Sequence, residues 1–446
     1  MTDSVTTDVA WGTLQGLLAG ALDGDPLQLV LKFFPFVILL ELPVQAVVML
    51  GVLRYRLLRP ATNVAALHSP TVSCIITCYS EGEDVRQTIR SLTEQQYSGH
   101  IEMLAMVDGA QQNVATLRAL RRLESYVASR AQRSLIIIPK MQRGGRVSSL
   151  NQGLAIARGE IVMALDGDTS FDNDMVRNAT ARFVDPNVVA VSGNLRVRNA
   201  RKSLTTRLQA LEYMLSIHLS RTGLAEFNVI NNVSGAFGCF RRALLERIGG
   251  WDSGTAEDLD LTLRIKMYFA RHPNLKIAFA PDAVGHTDAP DTFWGFLMQR
   301  LRWDGDLYYL YIRKYRHSLR PGLLGWRNFI AVLWAGLVLQ LVLPFMVLLS
   351  MIWLMFTVPA GQLIGLTVFV YVFYLLLTAV MFAQYWWQLS ERRRYDLQFI
   401  WVLPLFPAFA FVTRIWSAVA TLTEIFTKQH LDSAMAPWWV LRKTKF

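Results

Sequence analysis

Two carboxylates separated by one glycine follow an apolar run of strand length. Asp166 and Asp168 come directly after Ile161–Leu165, with Gly167 between them. Because alternate side chains of an extended backbone point to the same side, both carboxylates can reach one cation. A hard divalent ion held by one or two carboxylates keeps coordination positions for the phosphate oxygens of a substrate. The pair therefore predicts a metal and nucleotide-diphosphate site, although the same residues could also form a solvated turn that closes a strand.

A second acidic pair and a polar-aromatic cluster follow later in the chain. Glu257 and Asp258 are adjacent, and on ordinary helix chemistry they fit a helix N-terminus, where acids interact favourably with the dipole. Gln299, Arg302 and Trp303 stand at positions i, i+3 and i+4 of an amphipathic segment, so they share one helical face. An amide, a cation and a large ring on one face can bind a polar substrate, and they can equally belong to a packed helix.

The residues around these groups have the pattern of an α/β domain. Strand-like runs alternate with helix-length segments, and these runs are Val72–Thr77, Glu102–Val107, Leu135–Ile138, Ile161–Leu165 and Val188–Val191. This alternation predicts a largely parallel sheet covered by helices. In such sheets ligands bind beyond the carboxyl ends of the strands. Three predicted strands end there in polar or acidic groups, namely Thr77-Cys-Tyr79-Ser-Glu81, Asp108-Gly109 and Asp166-Gly-Asp168.

Two amphipathic helices are predicted outside this strand pattern. Ser203–Thr222 has leucines at helical spacing, and Thr292–Arg316 carries the Gln-x-x-Arg-Trp residues. The first helix either packs on the domain or lies on a membrane surface.

The composition indicates a membrane protein. Of the 446 residues, 52% are hydrophobic and only 18% are charged, which is too little charge for a soluble chain of this size. The formal charge of +11 is concentrated beside apolar segments, at Arg54-Arg56-Arg59, Arg313-Lys314-Arg316 and Arg392-Arg393-Arg394. This placement favours a cytoplasmic membrane surface over a nucleic-acid groove. The three cysteines have neither metal-ligand spacing nor a disulfide framework, which is typical of a reducing compartment.

Five apolar runs define the membrane layout. Leu27–Leu53, Phe329–Phe356 and Leu363–Trp387 are long enough to cross a bilayer. Val9–Leu22 is too short to cross and is interpreted as an interfacial helix. Leu397–Phe426 is interpreted as an interfacial or re-entrant helix, because a third crossing after residue 328 would place the basic tail outside.

The first span sets the orientation. Acidic residues precede it and arginines follow it, which places the N-terminus outside and Arg54 inside. Glu41 falls at membrane depth, where it either lines a polar path or is a buried, protonated carboxyl without a role.

The motifs resemble, in type and order, those of the processive family 2 glycosyltransferases, which include hyaluronan, chitin, bacterial cellulose and poly-N-acetylglucosamine synthases. The matching residues are Asp108, Asp166-x-Asp168, Glu257-Asp258 and Gln299-x-x-Arg302-Trp303. The resemblance covers roughly residues 70–310. It implies a GT-A (nucleotide-diphospho-sugar transferase) α/β domain inserted between transmembrane helices, with amphipathic interface helices.

The resemblance also implies a domain division. The expected units are residues 1–58 (interfacial helix and first span), 70–285 (cytoplasmic GT-A domain), 286–327 (interface helix), 328–390 (transmembrane hairpin) and 391–446 (basic loop, interfacial or re-entrant helix and tail).

On the donor side, the resemblance assigns roles residue by residue. The uridine would be contacted by Thr77, Tyr79, Glu81 and Asp108. Asp166 would lie near the nucleotide and the metal, and Asp168 would bind a divalent cation, Mg²⁺ or Mn²⁺, more directly. Arg146, where these enzymes often have a lysine, and Arg302 would balance diphosphate charge.

On the acceptor side, Asp258 would act as the catalytic base with Glu257 beside it. Family members usually have Thr-Glu-Asp where this chain has Ala256-Glu257-Asp258, so one hydroxyl contact is absent. Gln299 and Trp303 would bind the acceptor, with the indole ring as a stacking surface.

The expected function is a processive, inverting transfer that polymerises a UDP-sugar, UDP-GlcNAc or UDP-Glc, into a β-linked polysaccharide and exports it. The expected location is the bacterial inner membrane, with several spans and a cytoplasmic catalytic domain; partners are the growing polymer and membrane lipid, with no nucleic acid. Two alternatives stay open: transfer of one sugar to a membrane lipid, and a transporter or channel without catalysis. Gln-x-x-Arg-Trp also occurs in ceramide glucosyltransferases, so the motif does not exclude the first.

The C-terminal tail combines aromatic and basic residues. Trp439, Arg442 and Lys443 could fold back over the active site as a gate, with the two cations on the diphosphate. Alternatively, the tail simply adheres to anionic lipid.

Overall fold

A mixed sheet forms the centre of the computed structural model, which describes residues 2–23, 36–58, 68–252 and 256–428. Within these residues, eight strands form one sheet in the order β3-β2-β1-β4-β7-β6-β8-β5. The strands are β1 Val72–Cys78, β2 Ile101–Val107, β3 Arg133–Pro139, β4 Ile161–Asp166, β5 Ser170–Phe171, β6 Val188–Val197, β7 Phe237–Arg241 and β8 Lys276–Thr287.

The predicted strands all occur, and one half of the sheet is parallel as expected. Strands β3, β2, β1 and β4 run parallel, and Thr77 at the end of β1 is in register with Asp166 at the end of β4. Every residue of β2 is buried, as is typical of a strand covered on both faces. The shared register brings the polar ends of β1 and β4 to the same edge of the sheet.

The other half corrects the prediction of a largely parallel sheet. Strand β7 is antiparallel to both β4 and β6, β5 is antiparallel to β8, and only β6 and β8 run parallel there. The sequence pattern missed β7 because Gly238 interrupts its apolar run. It missed β8 because Pro281 interrupts the run, at the point where the pairing with β6 shifts register.

The helices lie on both sides of the sheet and beyond it. They are α1 Thr2–Asp23, α2 Leu42–Leu58, α3 Val85–Thr93, α4 Val114–Arg121, α5 Glu124–Ala128, α6 Gly145–Ile156, α7 Met175–Thr180, α8 Leu204–Tyr213, α9 Ser220–Glu226, α10 Arg242–Arg247, α11 Glu257–Lys266, α12 Phe293–Tyr308, α13 Pro321–Leu324, α14 Trp326–Thr357, α15 Ala360–Gln388 and α16 Arg393–Thr427. Wider π-helical turns precede α2 (Val37–Glu41), join α8 to α9 (Met214–Leu219) and extend α12 (Tyr309–Lys314).

The first predicted amphipathic helix packs on the domain. Leu211, Leu215 and Leu219 of the α8–α9 rod are buried, which supports the packing alternative. The other side of the rod crosses α2, where a Cβ atom on either Gly51 or Gly223 would overlap the backbone of the facing helix. This close crossing holds the first membrane-side helix against the catalytic domain.

Three helices in the described part of the chain are long and apolar enough to cross a membrane: α14, α15 and α16. The first two contain the predicted hairpin runs. Helix α16 contains Leu397–Phe426 and has the length of a span, so its interpretation as interfacial or re-entrant stays a prediction. The predicted span Leu27–Leu53 includes residues 27–35, which lie outside the described residues. So do Trp439, Arg442 and Lys443.

Candidate active site

The predicted site residues that the structure describes line one cavity of about 960 Å³. They are Thr77, Tyr79, Glu81, Asp108, Arg146, Asp166, Asp168, Glu257, Asp258, Gln299, Arg302 and Trp303. The cavity begins at the carboxyl ends of β1 and β4 and continues past α12 toward helices α2, α14 and α16. A space of this size is large enough for a nucleotide-sugar together with a second substrate.

Three carboxylates meet at the sheet edge: Glu81, Asp166 and Asp168. Burial, followed by the charge of Asp166, raises the pKa of Asp168 to about 6. Burial also raises the pKa of Glu81 to about 7, and its Oε2 atom is buried without a hydrogen-bond partner. Gly167 lies in a tight space, because a Cβ atom here would be 3.0 Å from the Thr77 carbonyl oxygen and 3.2 Å from the Glu81 carboxyl carbon, so these neighbours would have to shift.

These acids fit a divalent cation that shares its coordination with a substrate. Uncompensated negative charge and an orphaned carboxylate oxygen are stabilised when a cation binds beside them. Among the described residues, no group of three or more acidic, histidine or cysteine side chains forms a metal-ligand arrangement. A cation held by Asp166 and Asp168 would therefore take its remaining ligands from phosphate oxygens and water.

Arg146 connects the donor-side acids to the base-side acids. Its guanidinium donates to Asp166 Oδ1, to Glu257 Oε1 at 2.6 Å, to Thr77 Oγ1 at 2.7 Å and to the Gly235 carbonyl oxygen at 2.6 Å. Burial raises the pKa of Glu257 to about 7. The positive charge of Arg146, which was expected to face a diphosphate, is thus already balanced by the carboxylates of Asp166 and Glu257. In this arrangement Arg146 orients the two carboxylates relative to each other.

Asp108 organises the loop that precedes α6. Its carboxylate accepts hydrogen bonds from the backbone N–H groups of Gly144 and Gly145, each at 2.9 Å, and pairs with Lys140 at 2.8 Å. The same loop places the Arg143 guanidinium 4.1 Å from the centre of the Tyr79 ring. The contact of Asp108 with uridine stays a prediction. The structure shows in addition that Arg143 lines the cavity beside Tyr79.

Asp258 is held in one orientation at the start of α11. Its Oδ2 atom accepts hydrogen bonds from Asn232 Nδ2 and the Gly235 N–H, both at 3.0 Å, and its Oδ1 atom accepts from the Leu259 N–H at 2.7 Å. Ala256, just before the helix, has a left-handed backbone with φ of 49°. The carboxylate is partly exposed to the cavity, so a substrate hydroxyl can reach it.

Helix α12 brings Gln299, Arg302 and Trp303 to the cavity as predicted from their spacing. The same helix lines the cavity with further charged residues that the sequence did not single out, namely Arg300, Asp304 and Asp306. Arg300 lies inside the Gln-x-x-Arg-Trp motif, and this position was the only sequence signal that could have pointed to it.

Two further cavity residues had no signal in the sequence. Glu212 and Arg221 belong to the rod formed by α8 and α9, and they reach the site only because that rod packs beside α12.

Polar side chains continue along the cavity between the apolar helices. Gln45, Gln340, Thr413 and Arg414 line this part. Glu41 pairs with Arg414 at 2.7 Å. Glu41 therefore contacts a residue that lines the polar part of the cavity, which supports the first of the two alternatives for this carboxyl.

Comparison with known proteins identifies the catalytic region. Residues 70–305, just over half of the chain, match the model of the glycosyltransferase like family 2. The chain belongs to this family. The match covers the whole sheet and ends within α12, so it contains every predicted donor-side residue that the structure describes.

Curated relatives support the same assignment. The poly-beta-1,6-N-acetyl-D-glucosamine synthase of Staphylococcus aureus (strain COL) is 25% identical over 287 residues, which are 63% of this chain and 66% of the relative. The synthase of the same name from Staphylococcus epidermidis is 28% identical over 234 residues, which are 52% of this chain and 53% of the relative. The chain therefore spans about two thirds or less of the length of these relatives.

A solved structure confirms the predicted fold. A mannosyltransferase from Pyrobaculum calidifontis, in complex with GDP-Man and Mn²⁺, superposes with a TM-score of 0.52 at 20% sequence identity, covering 87% of this chain and 98% of that chain. The catalytic domain thus has the GT-A fold, followed by three apolar helices that could span a membrane.

Proposed function

We propose that the protein is a processive, inverting glycosyltransferase that polymerises a UDP-sugar into a β-linked polysaccharide and exports it. The observation that carries this proposal is the continuous cavity. It connects the acids at the sheet edge, the Asp258 carboxylate, the Trp303 ring and the polar side chains between the apolar helices, including Arg414. A transferase that releases a small soluble product does not need a polar path among such helices.

The donor would bind at the carboxyl ends of β1 and β4. The base and ribose would lie against Thr77, Tyr79, Glu81 and the loop held by Asp108. Mg²⁺ or Mn²⁺ held by Asp166 and Asp168 would supply a Lewis acid that neutralises charge on the diphosphate. The mannosyltransferase of similar fold binds Mn²⁺, which agrees with a divalent cation at this site.

The transfer itself needs a base and a charge-stabilised leaving group. Asp258 takes the proton of the acceptor hydroxyl as that oxygen attacks the anomeric carbon. The bond from this carbon to the β-phosphate oxygen breaks, UDP leaves from the opposite face, and the configuration inverts. Arg302 stabilises the charge that develops on UDP, while Arg146 keeps Asp166 and Glu257 in place.

The proposed sugar and location are supported by the relatives and by the charge pattern. The two staphylococcal relatives are named as poly-N-acetylglucosamine synthases, so UDP-GlcNAc is the first donor to test and UDP-Glc the second. Basic clusters beside the apolar helices favour a bacterial inner membrane protein with a cytoplasmic catalytic domain.

The test is product size with a panel of radiolabelled UDP-sugars. Purified protein in lipid vesicles, with Mg²⁺ or Mn²⁺, is expected to convert one donor into a ladder or smear of polymer on a gel. Asp258→Asn protein is the matched control and is expected to give about one hundredth of the product or less. One lipid-soluble spot would instead indicate single transfer to a lipid. UDP release without a polymeric or lipid product would contradict the proposal.

A further inference from the structure

An ion pair on the acceptor side of the cavity involves a residue inside the Gln-x-x-Arg-Trp motif. Arg300 of α12 donates from one terminal nitrogen to both carboxylate oxygens of Glu212 on α8, at 2.6 and 2.7 Å. The side chains are only 14% and 17% exposed, and both line the cavity. Because solvent screens such a buried pair weakly, the pair can hold Arg300 in a fixed orientation.

The orientation places the Arg300 guanidinium against two rings of its own helix. The guanidinium carbon lies 4.8 Å from the centre of the Trp303 ring and 5.2 Å from that of Phe296. Phe296 is fully buried, so it forms a fixed support on one side. Arg300 therefore packs against the buried Phe296 ring and contacts one face of the Trp303 indole.

We propose that Glu212 and Arg300 are positioning residues for Trp303. The ion pair fixes the guanidinium, and the guanidinium covers one indole face, so the opposite face stays available for an acceptor sugar. The proposal rests on the proposed function, since it assumes that Trp303 binds the acceptor.

The chemistry explains why arginine is needed in this position. A planar guanidinium can stack on an aromatic ring and pair with a carboxylate at the same time, whereas a lysine ammonium is a strongly hydrated point charge. Lysine would preserve the charge balance with Glu212 and lose the stacked contact. Arg300→Lys thus separates a positioning role from simple charge neutralisation.

Helix α12 is also attached to a helix on the membrane side. Ser417 of α16 donates a hydrogen bond to Asp304 Oδ2 at 2.6 Å. Helix α12, which carries Trp303, therefore has one polar contact to α8 through Arg300 and another to α16 through Asp304.

The experiment measures acceptor and donor binding separately by calorimetry. The probes are a short β-1,6-linked N-acetylglucosamine oligosaccharide, titrated in the presence of UDP and Mn²⁺, and UDP alone. Arg300→Lys is expected to raise the oligosaccharide Kd about tenfold, as for the loss of a buried cation–π contact, and to change the UDP Kd by less than about twofold. Glu212→Gln is expected to act in the same direction.

A double-mutant cycle gives the decisive comparison. In the Trp303→Ala background, Arg300→Lys is expected to have no further effect on oligosaccharide binding, because the ring that it positions is absent. The control is Arg242→Lys, in an exposed pair with Glu246 at 3.0 Å, which is expected to leave both constants unchanged.

The outcomes separate this inference from the proposed function. Wild-type protein that binds UDP but no sugar oligomer would contradict the acceptor role of Trp303 and the proposal built on it. Wild-type protein that binds the oligosaccharide, with Arg300→Lys binding it equally well, would overturn the positioning role alone. Additive effects of Arg300→Lys and Trp303→Ala would overturn it as well.

Discussion

Replacing Asp258 by asparagine is expected to remove the catalytic base and to lower the stability of the folded protein. The carboxylate accepts hydrogen bonds from three N–H groups, those of Asn232, Gly235 and Leu259. An amide has only one acceptor atom, so its NH₂ group must face at least one of these donors. We expect a stability loss of about 1–3 kcal/mol from the unmade hydrogen bond.

The catalytic effect is expected to be larger than the structural one. Loss of a general base lowers turnover by roughly 10²-fold or more, which is about 2.7 kcal/mol of transition-state free energy at 1.36 kcal/mol per tenfold. UDP affinity is expected to stay within a few-fold, because none of the hydrogen bonds of Asp258 involves Asp166 or Asp168. A coupled assay of UDP release, calorimetric titration with UDP and thermal unfolding measure the three quantities.

Asn232→Ala is the matched control, because it removes one of the same hydrogen bonds and leaves the carboxylate intact. Its loss of stability is expected to be comparable, with a much smaller fall in turnover. If Asn232→Ala slowed turnover as strongly as Asp258→Asn, site geometry rather than proton transfer would explain the loss. If Asp258→Asn lost UDP affinity in proportion to turnover, Asp258 would belong to the donor site.

Four other perturbations are expected to have defined effects. Asp168→Asn is expected to abolish transfer, and EDTA to do so reversibly; full turnover in either assay would remove the metal from the mechanism. Gly223→Ala places a Cβ atom against the Val48 carbonyl oxygen and is expected to lower the unfolding temperature, whereas an unchanged temperature would contradict the tight crossing with α2. Lys266 is buried without a hydrogen-bond partner, and burial lowers its pKa from 10.5 to about 7. The unfolded chain therefore binds more protons between these values, so stability rises with pH across that window. Lys266→Met is expected to remove this rise and to stabilise the protein at pH 7 by at most roughly 4–5 kcal/mol, which is the pKa difference at about 1.4 kcal/mol per pH unit. Thermal unfolding scans at several pH values measure the effect. An unchanged pH profile would contradict the lowered pKa of Lys266. Removal of residues 437–446 is expected to lower turnover and keep UDP binding, and normal turnover would exclude the predicted gate.

Local patterns in the sequence were sufficient to predict most strands and helices and the site residues that lie on them. Apolar runs of strand length ended at polar groups, so the carboxyl edge of β1 and β4 could be predicted together with Asp166 and Asp168. Helical spacing alone placed Gln299, Arg302 and Trp303 on one face. The order of the motifs then identified the family and the GT-A fold, because each motif occupies a fixed place along such a chain.

Long-range packing decided the rest, since its partners are far apart in the sequence. Nothing near Arg146 indicates that its guanidinium joins Thr77, Asp166, Gly235 and Glu257, because these residues come from four separate segments. Gly238 interrupts the strand pattern of the antiparallel β7, whose place in the sheet comes from its pairing with β4 and β6. Sequence periodicity reports only which face of an element is apolar. Which elements meet, and hence that Glu212 on α8 fixes Arg300 on α12, depends on burial and pairing energies that become available only in the folded chain.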